Sequence, residues 1–236
     1  GFGLMALIVA SERGFVRRED AAERVRQALA FLDNADRFHG VWSHFIHGQT
    51  GRVNPLFGMY DDGGDLVETA FMVQALLALR QYFDHEDEAD IRATITRLWE
   101  SVEWNWYRNP ADPDFLFWHW SPDHAWHIDH RLTGWNETMI AYILALASPT
   151  YPIPPEVYYS GWASQSKVAQ TYRENWGKST GGNLYANNSS YYGLKLPVGV
   201  GSGGPLFFTH YSYLGFDPHA LTDRYSGAFT NTAALE

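Results

Sequence analysis

Apolar positions along the chain fall into two helical styles that alternate. Residues 3–12 are nearly all apolar and end near Gly14, which reads as a short buried helix. In residues 18–35, Ala22, Val25, Leu29 and Leu32 recur at three- and four-residue steps behind Glu19, Asp20 and Glu23. That is an amphipathic helix with one wet face. From Asp65 to Phe83 the chain is apolar almost all round, with Leu66, Val67, Ala70, Phe71, Val73, Leu76 and Leu79, and a helix without a polar face must be buried on every side. Residues 87–107 carry Ile91, Ile95, Leu98, Trp99 and Val102 on one stripe. Residues 136–147 are again apolar until Ser148-Pro149, where proline disfavours helix before it.

A short helix is predicted over 154–166, opened by Pro154 and Pro155. Residues 36–64, 109–134 and 174–204 read as loops, the second strongly aromatic. Pro205 to Gly215 fits helix or strand equally by period, and the tail after Asp217 is weakly patterned. Alternating buried and amphipathic helices predict two concentric helical layers. The fold class is therefore expected to be all-α, an (α/α)6 barrel or toroid. A closed barrel of that kind needs about twelve helices and about six are predicted. Residues 1–236 are expected to be a single catalytic domain lacking flanking helices, and no tandem repeat is visible.

Composition narrows the function. The 10 Trp, 14 Tyr and 14 Phe make aromatics 16% of the chain. Aromatics build cores, but sugars also present C–H faces that stack on rings, so part of the excess is assigned to a carbohydrate surface. The net charge of −10 repels phosphate backbones, so nucleic acid is not an expected partner. The absence of cysteine excludes disulfides and thiolate zinc sites. No apolar run has transmembrane length, so no membrane partner is expected. The N-terminus is apolar but has no basic leader or cleavage pattern.

Two acidic motifs stand where a loop enters an apolar helix. In the first, Tyr60-Asp61-Asp62-Gly63-Gly64-Asp65-Leu66-Val67-Glu68, the residues Asp61, Asp65 and Glu68 are spaced i, i+4, i+7. If the helix reaches back to Asp61, the three carboxylates share a face. If it does not, Asp65 is an N-cap and Glu68 the third position of a capping box. Clustered carboxylates raise one another's pKa, as a general acid requires. In the second, Gly134-Trp135-Asn136-Glu137-Thr138, Glu137 lies between Trp135 and Met139, and apolar surroundings poise a glutamate to donate a proton. The plainer alternative is an interaction with the helix dipole.

Trp118, Trp120 and Trp126, within the run from Phe115 to Trp126, suggest a sugar platform or rim packing. Trp42, His44, Asp62, His119 and Trp135 join Trp118 and Trp120 as expected substrate-binding residues. His124, His127 and His130 with Asp123 and Asp129 match no trusted metal spacing. Neither a metal nor another cofactor is expected.

Several stretches together resemble the bacterial endo-β-1,2-glucanase family and its glucoamylase-like relatives. They are Gly1 to Leu7 with Glu12-Arg-Gly14, Asp62 to Thr69, Glu103-Trp-Asn-Trp106, Gly134-Trp-Asn-Glu137, Ala147-Ser-Pro-Thr150 and Gly204 to Ser212. The resemblance implies a six-pair α/α barrel and inverting hydrolysis of β-1,2-glucan in a periplasmic or secreted protein. It places the proton donor on Glu137 and further essential carboxylates on Asp61, Asp65 and Glu68. His210 and Tyr211 would line the cleft. Family members extend beyond both ends of this chain, and a candidate base comes from the later region. The rival expectations are a non-catalytic carbohydrate-binding or accessory domain, and a polysaccharide lyase or phosphorylase on the same barrel.

Overall fold

The alternation of apolar and amphipathic stretches is realised as helices. A computed structural model describes residues 1–134, 136–175, 189–196 and 205–217. Within them the protein is helix-rich, and its strands are two or three residues long. The chain divides into two compact units: residues 1–110, 117–130 and 144–153 form the first, and residues 111–116, 131–143 and 154–236 the second.

In the first unit, α1 (Phe2–Glu12), α2 (Arg18–Asn34), α3 (Leu66–Tyr82) and α4 (Ala89–Glu100) pack on one another, α3 against α1 and α4, and α2 against α1 and α4. Val25, Leu66, Leu76, Leu79, Ile91, Ile95 and Leu98 are all 0% exposed there. Each such side chain contributes about 1.5–3 kcal/mol by leaving water. The amphipathic and all-apolar stretches fall where their patterns place them, with one difference. α1 is apolar, yet none of its residues is fully buried among the described residues, and Val9 is 58% exposed.

Salt bridges tie α2 to α4, along its length and at the residue before it. Arg18 grips Glu88 with two 2.8 Å bonds, and Arg26 and Arg97 hold Asp90 and Asp33. The predicted helix over 87–107 stops early, at Glu100, and resumes as a 3-10 turn over Trp104–Tyr107. Ser101 Oγ donates back to Leu98 O, and Glu103 N donates to His39 O, which turns the chain away from the helix axis.

The loop over 36–64 carries a hairpin, β1 (Arg37–Phe38) with β2 (Val41–Trp42). It ends in β3 (Gly64–Asp65), which pairs with β4 (His119–Trp120) of the aromatic loop, Gly64 opposite Trp120 and Asp65 opposite His119. Two glycines allow this approach. A Cβ on Gly63 would stand 2.0 Å from Trp120 O, and one on Gly64 2.1 Å from the Tyr107 hydroxyl.

α5 (Met139–Ala147) is shorter than predicted because residues 136–138 form a turn. The predicted helix over 154–166 contracts to α6 (Glu156–Ser160) in the second unit. α7 (Lys167–Asn175) of the same unit was not foreseen. Its buried residues are Ala169 and Arg173, so it shows no apolar stripe. Arg173 is 1% exposed and donates to the carbonyls of Gly134 and Ser164 at 3.1 and 2.7 Å. A short hairpin joins β5 (Ser189–Tyr191) to β6 (Leu194–Leu196), and the undecided segment near Pro205 is helical, α8 (Phe207–Tyr213).

Candidate active site

The first acidic motif does not lie on a helical face. α3 begins at Leu66, and Asp65 is its N-cap, with Oδ1 accepting from Val67 N and Glu68 N at 2.9 Å each. Of the two readings of that motif, the capping one describes Asp65. Asp61 lies outside the helix, and Glu68 is exposed. Asp65 is nevertheless more than a cap. Its Oδ2 accepts from His44 Nδ1 at 2.6 Å and from Trp118 Nε1 at 2.5 Å. One fully buried carboxylate thus joins α3, the loop before it and the aromatic loop after it.

Asp61 sits beside this junction and is 3% exposed. Among the described residues neither of its oxygens has a partner in good hydrogen-bond geometry. Burial pushes its carboxyl above the usual range; the Phe57 backbone amide and the His44 imidazole oppose that rise, while Asp65 and Asp62 add to it. His119 lies close by, Nε2 being 3.9 Å from Asp61 Oδ1. Gly63 N donates to that Nε2 at 3.2 Å, so Nε2 carries the lone pair and the proton resides on Nδ1. Burial lowers the pKa of His119, which agrees with a neutral ring. Asp62 is half-buried, 3.7 Å from His124 Nε2.

Aromatic rings surround these carboxylates. Phe57 packs edge-on against His44 at 4.7 Å and is 64% exposed. Tyr60 lies against His127 at 3.9 Å and edge-on to His124 at 5.0 Å. On β4, Trp120 meets Trp106 edge-on at 5.5 Å, and Trp106 stacks on His39 at 3.6 Å with its ring 13° from parallel. His39 Nδ1 bonds Glu103 at 2.8 Å. Sequence reasoning assigned no role to His39, Glu103 or Trp106. The sequence offered only a tryptophan near the end of a stretch read as helix; that Trp106 is 41% exposed is visible in the structure alone. Trp42 is 3% exposed and its indole donates to Leu32 O, an arrangement that belongs to the core. Among the described residues no group of three or more His, Asp or Glu is placed to hold a metal ion, and no helix is long and apolar enough to cross a membrane.

In the second unit, residues 136–138 form a tightly held turn. Asn136 Nδ2 donates to Thr133 O and to the Tyr172 hydroxyl, and Asn136 Oδ1 accepts from Thr138 N and Thr138 Oγ1. Ser212 Oγ of α8 donates to Glu137 O at 2.7 Å. The Glu137 side chain is half-buried, and desolvation raises its pKa, opposed by its own backbone amide. Trp135 lies outside the described residues. His210 is exposed and Tyr211 half-buried on α8, with Tyr211 against Phe207 at 5.3 Å.

Comparison with known proteins adds to this geometry. Residues 129–235 match a family model described as "Putative glucoamylase". The chain is 55% identical over 237 aligned positions to the exo beta-1,2-glucooligosaccharide sophorohydrolase (non-reducing end) of Parabacteroides distasonis, covering 100% of this chain and 33% of that protein. The crystal structure of a beta-1,2-glucanase from Parabacteroides distasonis is similar with a TM-score of 0.92 at 55% identity, covering 98% of this chain and 33% of the other. An endo-beta-1,2-glucanase from Chitinophaga pinensis, in complex with sophorotriose and glucose, gives 0.83 at 46% identity, covering 98% and 52%. The chain thus spans a third of the length of the first relative and about half that of the second.

Proposed function

We propose, with its kinship to the β-1,2-glucanases and glucoamylase-like proteins as the premise, that this chain is part of a glycoside hydrolase acting on β-1,2-linked glucan. The helices described belong, in this proposal, to an α/α six-pair barrel that a longer chain completes. The substrate is a neutral oligosaccharide or polysaccharide, and export to the periplasm or beyond goes with a polymer met outside the cell. His210, Tyr211 and Trp135 are assigned to the cleft on the resemblance alone.

The observation that carries the proposal is the half-buried Glu137 carboxyl just before α5. Burial raises its pKa, the direction a proton donor needs, and burial raises Asp61 as well. Glu137 therefore protonates the departing glycosidic oxygen, directly or through a substrate hydroxyl. A carboxylate base takes the proton of the attacking water, and the sugar is released with inverted configuration. Exposed rings such as Trp106 offer stacking surface for pyranose C–H faces.

Linear β-1,2-glucan and starch, incubated in parallel with the full-length protein, provide the test. Reducing ends should appear from β-1,2-glucan alone, with the α-anomer seen first by NMR. Glu137→Gln should lower kcat by about 10²–10⁴-fold, the usual worth of a general acid. The acid must be protonated, so wild-type rate should fall as pH rises through the raised Glu137 pKa, and that limb should vanish in the variant. Release from starch, or a variant as active as the wild type, would overturn the assignment.

A further inference from the structure

Asp65 has nothing left to offer a substrate directly. It is 0% exposed, and its oxygens already accept from Val67 N, Glu68 N, His44 Nδ1 and Trp118 Nε1. A carboxylate has about four lone-pair sites, so no site remains for water or a sugar hydroxyl. His44 is differently placed. Its Nδ1–H is committed to Asp65, its side chain stays 20% exposed, and among the described residues Nε2 has no hydrogen-bond partner. Phe45 and Phe57 hold the ring at 4.4 and 4.7 Å, with Trp118 edge-on at 6.3 Å. Asp61 is within electrostatic reach of the same imidazole.

We propose that His44 is the substrate-touching member of a His44–Asp65 pair, its Nε2–H donating to a hydroxyl oxygen of the bound glucan, and that Asp65 is a positioning residue acting through it. The proposal rests on the hydrolase reading above. The charged groups facing the ring are the carboxylates of Asp65, Glu68 and Asp61. The bond to Asp65 is the main cause favouring the imidazolium, burial opposes it, and the three negative charges add support. The imidazolium form is thus favoured, and a bond donated by it is roughly twice as strong as a neutral one.

The test uses the full-length protein, linear β-1,2-glucan and histidine-selective ¹⁵N NMR. His44→Ala should lower kcat/KM about 10- to 100-fold, the range for losing a hydrogen bond to a charged group. Added imidazole should restore part of that activity, which a purely structural loss would not permit. His44 should titrate above the ordinary histidine range in the wild type, and lower in Asp65→Asn, where the main cause of the rise is gone. Imidazolium-dependent activity is present at low pH and lost as pH rises through the folded His44 pKa, so Asp65→Asn should bring that loss to lower pH. The pair is refuted if Asp65→Asn leaves the His44 titration in place, or if His44→Ala matches an active wild type. If Asp65→Asn does not fold, imidazole rescue of His44→Ala decides the matter. A wild type that cleaves no glucan would defeat the hydrolase reading itself. A His44 resonance then unmoved by added β-1,2-glucan would defeat this proposal too, whereas one that moves would sustain it as a binding contact.

Discussion

Replacing Asp65 by asparagine should destabilise the protein by about 2–4 kcal/mol, a figure that follows from the atoms around it. The asparagine oxygen can keep the two helix amides of Val67 and Glu68, each 2.9 Å away in the wild type. Its Nδ2 must then take the place of Oδ2, facing His44 Nδ1 at 2.6 Å and Trp118 Nε1 at 2.5 Å. Histidine can move its proton to the other nitrogen and accept, but an indole can only donate. One N–H directed at a fully buried side chain therefore loses its acceptor, at about 1–3 kcal/mol. Loss of the charge-assisted bonds adds about 1 kcal/mol. Asp65→Ala removes the helix cap as well, worth about a further 1 kcal/mol. Urea unfolding at fixed pH, extrapolated linearly to water, reads these differences. An asparagine variant within about 0.5 kcal/mol of wild type, or an alanine variant no worse than asparagine, would refute the account of Asp65 as a four-bond junction.

Arg173→Met should cost about 2–4 kcal/mol in the same assay, because the carbonyls of Gly134 and Ser164 lose a buried guanidinium. It should also lower turnover by loosening the turn that carries Glu137. Gly134→Ala should cost about 1–3 kcal/mol, since its Cβ would stand 2.7 Å from Trp162 Cε2; an unchanged unfolding midpoint would contradict the packing. Glu88 has its pKa held down chiefly by its bond to Arg18. Its contribution is therefore present above the unfolded glutamate value of about 4.3 and is lost as pH falls through the lower folded value. Glu88→Gln should flatten the acid side of a Tm-against-pH curve while lowering Tm at neutral pH.

Local patterns were legible in the sequence and distant partnerships were not. The stripes of α2 and α4 and the apolar runs of α3 and α5 are set by neighbours three and four residues away, so periodicity exposes them. Asp65 was legible as a cap for the same reason, being two and three residues from the amides it holds. Its bonds to His44 and Trp118 span 21 and 53 residues, and no spacing rule reaches that far. α7 escaped notice because its buried face includes an arginine whose charge is satisfied by two carbonyls, a pairing only tertiary structure reveals. α1 shows the converse, a run apolar enough to predict full burial whose described surroundings leave every residue partly exposed.

The double duty of Asp65 bears on how such chains diverge. A descendant that stopped turning over substrate would still need a carboxylate there to start α3 and to satisfy the Trp118 indole. Retention of Asp65 across relatives is therefore poor evidence of activity. Among the described residues His44 makes a single side-chain hydrogen bond, and glutamine or asparagine could supply it in a silent copy. Among related sequences, the position that distinguishes working enzymes from inert descendants should be 44, and drift there should precede drift at 65.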